Sequence, residues 1–332
     1  MPLKSAKEKL EQLFLVLDTL DKVLIIISPD PDALSSAWAF KRLLYRKVET
    51  SEIAYVREIK RPDNLAMIKL LRIPVQSLAK FNLDNYTKLA IIDSQPHHFQ
   101  ELENLAFDII IDHHPFKKEG EIANFVDIAP EYGATATILT EYLRAAKIRP
   151  STSLATALFY GIKTDTQNFI RRGTEKDNKA FRYLFNYVNK AILWKIETSE
   201  FSLKNLHYFK RAFSAMQVDP RRHRIFTFLG KVDSPDTCVI LADFLLRIYE
   251  ISWSVVAGLC KGHVVVIFRS DGYRRNAGYL AERAFGGLGS AGGHKEMARA
   301  EIPVENLKTL LPSITNEAIE NYILYQITKV GL

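Results

Sequence analysis

Asp112, His113 and His114 follow directly on Ile109-Ile110-Ile111. A short β-branched run ending in an acid and two imidazoles reads as a buried strand whose carboxyl end delivers polar groups to a cleft. Three other apolar runs end in the same way. The run at 23–27 precedes Asp30 and Asp32, the run at 89–92 precedes Asp93, and the run at 157–162 precedes Asp165. A donor set rich in carboxylates, with one or two imidazoles and no thiolate, suits Mn²⁺ or Mg²⁺ better than a thiolate-type zinc site. The chemistry such a set supports is hydrolysis at two metal ions, in which water is activated and a phosphoryl oxygen polarised without a covalent Ser or Cys nucleophile. The sequence carries no nucleophile-elbow motif and no Walker-type loop that would point elsewhere.

The elements that must position these groups follow from periodicity. Leu10, Leu13, Phe14, Leu17 and Leu20 recur at helical spacing and predict a first amphipathic helix that covers a core. After the strand at 23–27, Pro29 and Pro31 predict a rigid turn bearing Asp30 and Asp32, followed by a helix over 33–45. A short strand at 53–56 and a helix at 64–71 come next. The small residues at 133–137 predict a helix whose start can approach either the sheet or a phosphate. The polar residues Thr164, Thr166, Gln167 and Asn168 flank Asp165 and are candidates to orient it. His97 and His98 lie a few residues beyond Asp93 and read as a solvated loop or as substitute ligands.

The chain has 332 residues, 47% hydrophobic and 25% charged, which suits a globular α/β protein with two cores. Its net charge of +7 favours anionic substrates, with solvated surface charge as the alternative explanation. Cys238 and Cys260 have no metal-type spacing, no apolar signal core opens the sequence, and no run has the length of a membrane span. A reduced, cytoplasmic location without membrane contact is the expectation. The expected fold is α/β in two domains with a cleft between them. Residues 1–190 form a mostly parallel sheet flanked by helices, 191–215 a helical linker, and 216–332 a smaller α/β domain.

The smaller domain carries a second signal. Five glycines in eight residues, from Gly286 to Gly293, precede His294 and Lys295. Such a segment can adopt positive φ and turn several amides toward one anion. Arg269, Arg274 and Arg275 lie just before it and suit phosphate or base stacking. A further basic run, Arg221-Arg222-His223-Arg224, is either a phosphate patch or a solvated charge cluster. A hairpin about Lys261-Gly262 is expected between the strands at 253–260 and 263–268.

These motifs, in this order, resemble the DHH-family phosphoesterases with a DHH-associated C-terminal domain, the group of RecJ-like exonucleases, nanoRNases and phosphoadenosine-phosphate phosphatases. The resemblance rests on Pro29-Asp30-Pro31-Asp32-Ala33, Asp93, Asp112-His113-His114, Asp165 and Gly292-Gly293-His294, and covers nearly the whole chain after the first helix. It implies two Mn²⁺ ions, with Mg²⁺ as a substitute. Asp30 and Asp93 would serve one ion and Asp32, Asp93, His113 and Asp165 the other, with Asp93 as the bridge. His114 would face the scissile phosphate, Asp112 would support the histidine pair, and Arg269, Gly292, Gly293 and His294 would hold another part of the nucleotide. The implied substrates are short single-stranded RNA or DNA oligonucleotides, dinucleotides or 3′-phosphonucleotides, and the resemblance admits a homodimer.

The sequence departs from the family pattern at two positions. Many members have a metal-binding His four residues before the first Asp of the Asp-x-Asp pair, where this chain has Ile26, and Ser35 stands where Gly is usual. Two other readings therefore stand beside the phosphoesterase: a nucleotide-binding regulatory protein with weakened metal chemistry, and a polyphosphate or pyrophosphate hydrolase.

Overall fold

A computed structural model describes residues 5–99, 102, 105–115, 123–170, 173–199, 201–273 and 275–332; Arg274 lies outside the described residues. The chain divides into two compact units, 1–200 and 201–332. The first contains α1 (Ala6–Leu15), β1 (Lys22–Ile27), α2 (Pro31–Leu44), β2 (Thr50–Tyr55), α3 (Pro62–Leu71), β3 (Val75–Ser77), β4 (Lys88–Ile92), β5 (Ile109–Asp112), β6 (Phe125–Ile128), α4 (Thr135–Ala145), α5 (Thr152–Asp165), α6 (Glu175–Phe185) and α7 (Lys190–Glu197).

Its six strands pair in parallel throughout, in the order β3-β2-β1-β4-β5-β6. Alternation along the strands sorts side chains to two faces. Ile25, Ile27, Ala90, Ile92, Ile109 and Ile111 join the core that includes α2, α4 and α5. Leu24, Ile26, Ile91 and Ile110 pack on the opposite face with Phe99 and Phe107. Sheets covered on both faces read as the continuous apolar runs seen in this sequence. The order reverses between β1 and β4. In open parallel sheets the crevice at such a reversal, beyond the carboxyl ends of the strands, is where ligands bind.

Two local expectations give way here. Pro31 does not delay the helix; it is the first helical residue, where a missing N–H costs nothing, so Asp30 is the cap and Asp32 lies inside α2. The apolar run at 157–162 is not a strand but part of α5, capped by Ser151 and 14 residues long. Periodicity does not separate a buried helix from a buried strand, and this length decides for the helix. α5 crosses α2 closely, since a Cβ on Gly161 would lie 2.4 Å from Ser35 Oγ.

The second unit contains α8 (Leu206–Ala215), β7 (Gln217–Asp219), β8 (Arg224–Lys231), α9 (Pro235–Leu246), β9 (Trp253–Cys260), β10 (His263–Ser270), α10 (Ala277–Phe285), β11 (Ser290–Gly293), β12 (Met297–Pro303), α11 (Val304–Leu307) and α12 (Asn316–Lys329). Its sheet is mixed, in the order β11-β12-β10-β9-β8-β7, with β8 and β9 parallel across the α9 crossover. Phe226, Val255, Val266 and Phe268 pack against α10 and α12 on one face. Ile225, Val256, Val265 and Ile267 pack against α8 and α9 on the other. The expected hairpin forms, with Lys261 and Gly262 both at positive φ, as a two-residue turn of this hand requires. Of the helices at 191–215, Ile196 of α7 packs into the first unit's core and Tyr208 and Ala212 of α8 into the second's. Among the described residues no helix is long and apolar enough to cross a membrane.

Candidate metal centre

The carboxyl ends of β1, β4 and β5 and the last turn of α5 bring Asp32, Asp93, His113 and Asp165 together. His113 Nε2 lies 3.1 Å from Asp165 Oδ2, 3.6 Å from Asp93 Oδ1 and 3.9 Å from Asp32 Oδ2. Its Nδ1 lies 3.3 Å from the Tyr132 carbonyl, which can only accept, so Nδ1 carries the proton and Nε2 offers its lone pair. That lone pair is buried, has no hydrogen-bond donor among the described residues, and faces three carboxylates. The donor chemistry of this arrangement fits a divalent cation, which these residues could hold. Among the described residues, ligand atoms within 4.8 Å of one another form two groups, Asp32 with His113 and Asp165, and Asp93 with His113 and His114.

Each acid is held by the local fold. Asp32 accepts from the Thr135 amide with one oxygen and the Ala136 amide with the other, both at 2.7 Å. These are unpaired N–H groups at the start of α4, whose cap residue Ala134 has no side chain to satisfy them. The helix start that the sequence offered to a phosphate therefore receives a carboxylate from α2. Asp93 ends β4 in the left-handed region, φ 62°, and accepts from Thr135 Oγ1 at 2.7 Å. Such a conformation in a non-glycine residue has a cost that functional sites commonly carry. Asp30 accepts from the Ala33 amide at 2.8 Å and joins neither ligand group.

Crowding of these acids shifts their titration. Burial first, then Asp32, Asp30, Asp112 and Asp165, hold the Asp93 carboxyl well above the usual range. Asp32 is raised by burial, opposed by His113 and reinforced by Asp30. Asp30 stands at the solvent-facing rim, yet desolvation by the surrounding atoms, reinforced by Asp165, pushes it up to about 6 against the pull of the Ala33 amide. Among the described residues no lysine or arginine forms an ion pair with Asp32 or Asp93.

Beside it, buried Asp112 accepts from His114 Nδ1 at 2.8 Å and from Gln95 Nε2 at 2.7 Å. Burial alone would raise Asp112, but His114 and Gln95 outweigh it and lower the carboxyl. The same bond to Asp112 raises His114 against desolvation, favouring the imidazolium. Gln95 also reaches the His114 carbonyl, so it fixes the pair from two sides. Gln95 and Thr135 were not singled out by sequence reasoning, although Gln95 stands two residues beyond Asp93. Asp177, which binds the Gly133 amide and Thr137 hydroxyl ahead of and within α4, gave no signal at all, being 44 residues from Gly133.

Other expectations end differently. The Thr164 and Thr166 hydroxyls donate back to helix carbonyls, at Tyr160 and Gly161 and at Ile162, so they do not orient Asp165. His98 Nδ1 is engaged by Ser94 Oγ and the Gln95 amide, and its ring stands 5.8 Å from that of His114. Neither His97 nor His98 belongs to a ligand group among the described residues. Ile26 is fully buried in the apolar layer with Ala54 and Ile91 and offers no donor.

In the second unit, Arg269 Nε lies 2.5 Å from Asp243, and its Nη1 donates to the Phe268 carbonyl. Gly292 and Gly293 form the end of β11 rather than an open loop, and of the five clustered glycines only Gly293 has φ in the positive range. Close approach explains two of the small residues: a Cβ on Gly278 would lie 2.4 Å from the Gly293 carbonyl oxygen, and one on Gly289 would lie 2.1 Å from that of Glu301. Exposed His294 is fixed through its main chain, its amide on Met297 and its carbonyl on Gly278.

Residues 22–162 match the DHH family, N-terminal domain. Over 307 residues the chain is 38% identical to an uncharacterised protein of Methanocaldococcus jannaschii; the match covers 91% of this chain and 63% of that protein, less than two thirds of its length. Among solved structures the chain is similar to an exopolyphosphatase-related protein from Bacteroides fragilis, with a TM-score of 0.70, 15% identity and 98% of each chain covered. It also matches exonuclease RecJ bound to manganese, with a TM-score of 0.49 and 14% identity over 99% of this chain and 97% of that one.

Proposed function

We propose, from the match of residues 22–162 to the N-terminal domain of the DHH family, that this chain is a Mn²⁺-dependent phosphoesterase acting on short oligoribonucleotides, dinucleotides or 3′-phosphonucleotides. The observation that carries the reading is His113, whose buried Nε2 lone pair meets the carboxylates of Asp32, Asp93 and Asp165 with no hydrogen-bond donor for it among the described residues. We assign Asp32, Asp93, His113 and Asp165 to one ion, and Asp30 and Asp93 to a second. With Ile26 in place of a donor, Asp30 and Asp93 would be the protein groups that hold the second ion, and water and substrate oxygens would complete its coordination. The chemistry such ions supply is polarisation of a phosphoryl oxygen and activation of water near neutral pH.

The chain's own groups do the rest. His114, raised toward the imidazolium by Asp112, presents its Nε2–H to a phosphoryl oxygen and stabilises charge that grows there. Gln95 and Asp112 keep that ring from turning away. Asp32, pinned to α4, holds its position without moving during the reaction. His294 and the Gly292-Gly293 backbone bind the remainder of the nucleotide, and Arg269 joins them by sharing its guanidinium with Asp243.

The fold shared with an exopolyphosphatase-related protein supports phosphoanhydride hydrolysis as a second reading. A turnover panel separates the two. Metal-stripped protein is resupplied with Mn²⁺ and offered pApA, cyclic dinucleotides, phosphoadenosine phosphate and polyphosphate. Hydrolysis of a nucleotide member is expected; turnover of polyphosphate alone selects the second reading, and no turnover with Mn²⁺ bound overturns both.

A further inference from the structure

The basic run at 221–224 is not used by the centre described above. In the second unit it opens a cavity of about 640 Å³, within the range of ligand pockets. Arg221, Arg222 and Arg275 line it. Among the described residues Arg221 has no carboxylate partner. Arg222 spends one N–H on a main-chain oxygen of Leu332 at 2.9 Å, and Arg275 spends one on the Gly331 carbonyl. A guanidinium has five N–H groups, so both stay oriented with donors to spare. Arg222 also lies 3.8 Å from Asp219. Of the two acids lining the cavity, Glu250 and Asp271, the second is occupied by the Tyr273 amide.

The aromatic groups decide what kind of anion fits. Tyr249 is 97% exposed and Tyr273 84% exposed, and both rim the cavity with Trp253 behind them. Free aromatic faces beside fixed guanidinium groups form the combination that stacks nucleobases while holding their phosphates. A bare polyanion would need the arginines and have no use for the tyrosines. A series of main-chain bonds joins this cavity to the Gly-Gly-His segment: Ser252 to His223, Asp271 to Ser252, Ser270 to Glu296 and Gly278 to His294.

We propose that this cavity is a single-stranded nucleic-acid subsite, with Arg221, Arg222 and Arg275 on successive phosphates and Tyr249 and Tyr273 stacked on bases. It does not depend on the hydrolase reading, because binding here requires no metal.

The test is fluorescence anisotropy of the full chain in EDTA, which also stops any metal-dependent cleavage. The probes are a fluorescein-labelled oligothymidylate of about twelve nucleotides, within the length range such sites cover, and an abasic strand of equal length. Tyr249→Ala and Tyr273→Ala should each weaken oligothymidylate binding about ten-fold and leave the abasic strand unchanged. Arg221→Ala should weaken both probes and lower the slope of log K against log salt by roughly 0.7, the loss of one phosphate contact to a single strand. All three side chains are exposed, so an unchanged melting temperature verifies the fold. Equal binding of the two probes by wild-type protein, or tyrosine variants that bind like it, would overturn the assignment in favour of a general polyanion patch. An unchanged salt slope for Arg221→Ala would overturn it as well.

Discussion

The acid-histidine cluster of the first unit and the arginine-tyrosine cavity of the second are built in opposite ways. The cluster draws single residues from three strand ends and one helix end, spread from Asp32 to Asp165, and buries most of them. Asp32 is fixed by two main-chain amides and Asp93 by the Thr135 hydroxyl. The cavity draws mainly on residues close in sequence, at 221–223, at 249–253 and at 271–273 with Arg275, and leaves its arginines and both tyrosine rings in solvent. A buried, convergent site selects by coordination geometry and is screened little by salt, whereas an exposed basic surface selects weakly and is strongly screened.

The sharpest way to break this comparison is to remove the residue common to both assigned ions. Asp93→Asn keeps the shape and the Thr135 contact but removes the charge. Loss of a group that merely supports a ligand costs 10–100-fold, so loss of this one should lower Mn²⁺-dependent turnover by more than about 100-fold. Oligothymidylate affinity in EDTA should stay at the wild-type value. A parallel loss of that affinity would mean that the two regions are not independent.

The second test uses stability and its dependence on pH. Asp30, Asp32 and Asp93 are all raised in the folded protein, Asp30 to about 6, by burial first. A carboxyl raised on folding contributes stability that is complete below its unfolded value, about 4, and is lost as pH climbs through the folded value. Metal-free protein should therefore lose melting temperature between about pH 4 and neutrality through these groups. Mn²⁺ binds the ionised form, so its stabilising shift should be larger near pH 7.5 than near pH 5 and absent in Asp93→Asn. A shift equal at both pH values would show that the ion binds elsewhere.

How far the sequence disclosed these two regions follows from the same contrast. Strand ends at Asp93 and Asp112 were legible because a buried parallel strand is an uninterrupted apolar run, and the acid that ends it stands out. Asp165 was found with the wrong element beneath it, since the run at 157–162 inside α5 is as continuously apolar as a buried strand. Gln95 and Thr135 went unassigned because polar loop residues ordinarily serve turns and caps, and nothing local marks the bonds they make to Asp112 and Asp93. The basic run at 221–224 was visible at once, but its partners Tyr249, Tyr273 and Arg275 are brought beside it only by strand pairing.

The smallest effect expected concerns the glycines, where structure and binding make separable demands. Gly293 has φ +150°, and a Cβ there would lie 2.4 Å from the Met297 carbonyl oxygen, so Gly293→Ala must displace backbone between β11 and β12. Overpacking of this kind costs about 1–3 kcal/mol and should appear as a lower melting temperature. At Gly292, one residue earlier, the added methyl meets nothing within 4 Å and φ lies outside the positive range. Gly292→Ala should therefore leave the melting temperature unchanged. If the backbone there lies against a nucleotide, the methyl enters space the ligand needs, and KM for the nucleotide substrate should rise while turnover of a small generic phosphodiester stays constant. An unchanged KM would show that the Gly292 backbone does not lie against the nucleotide.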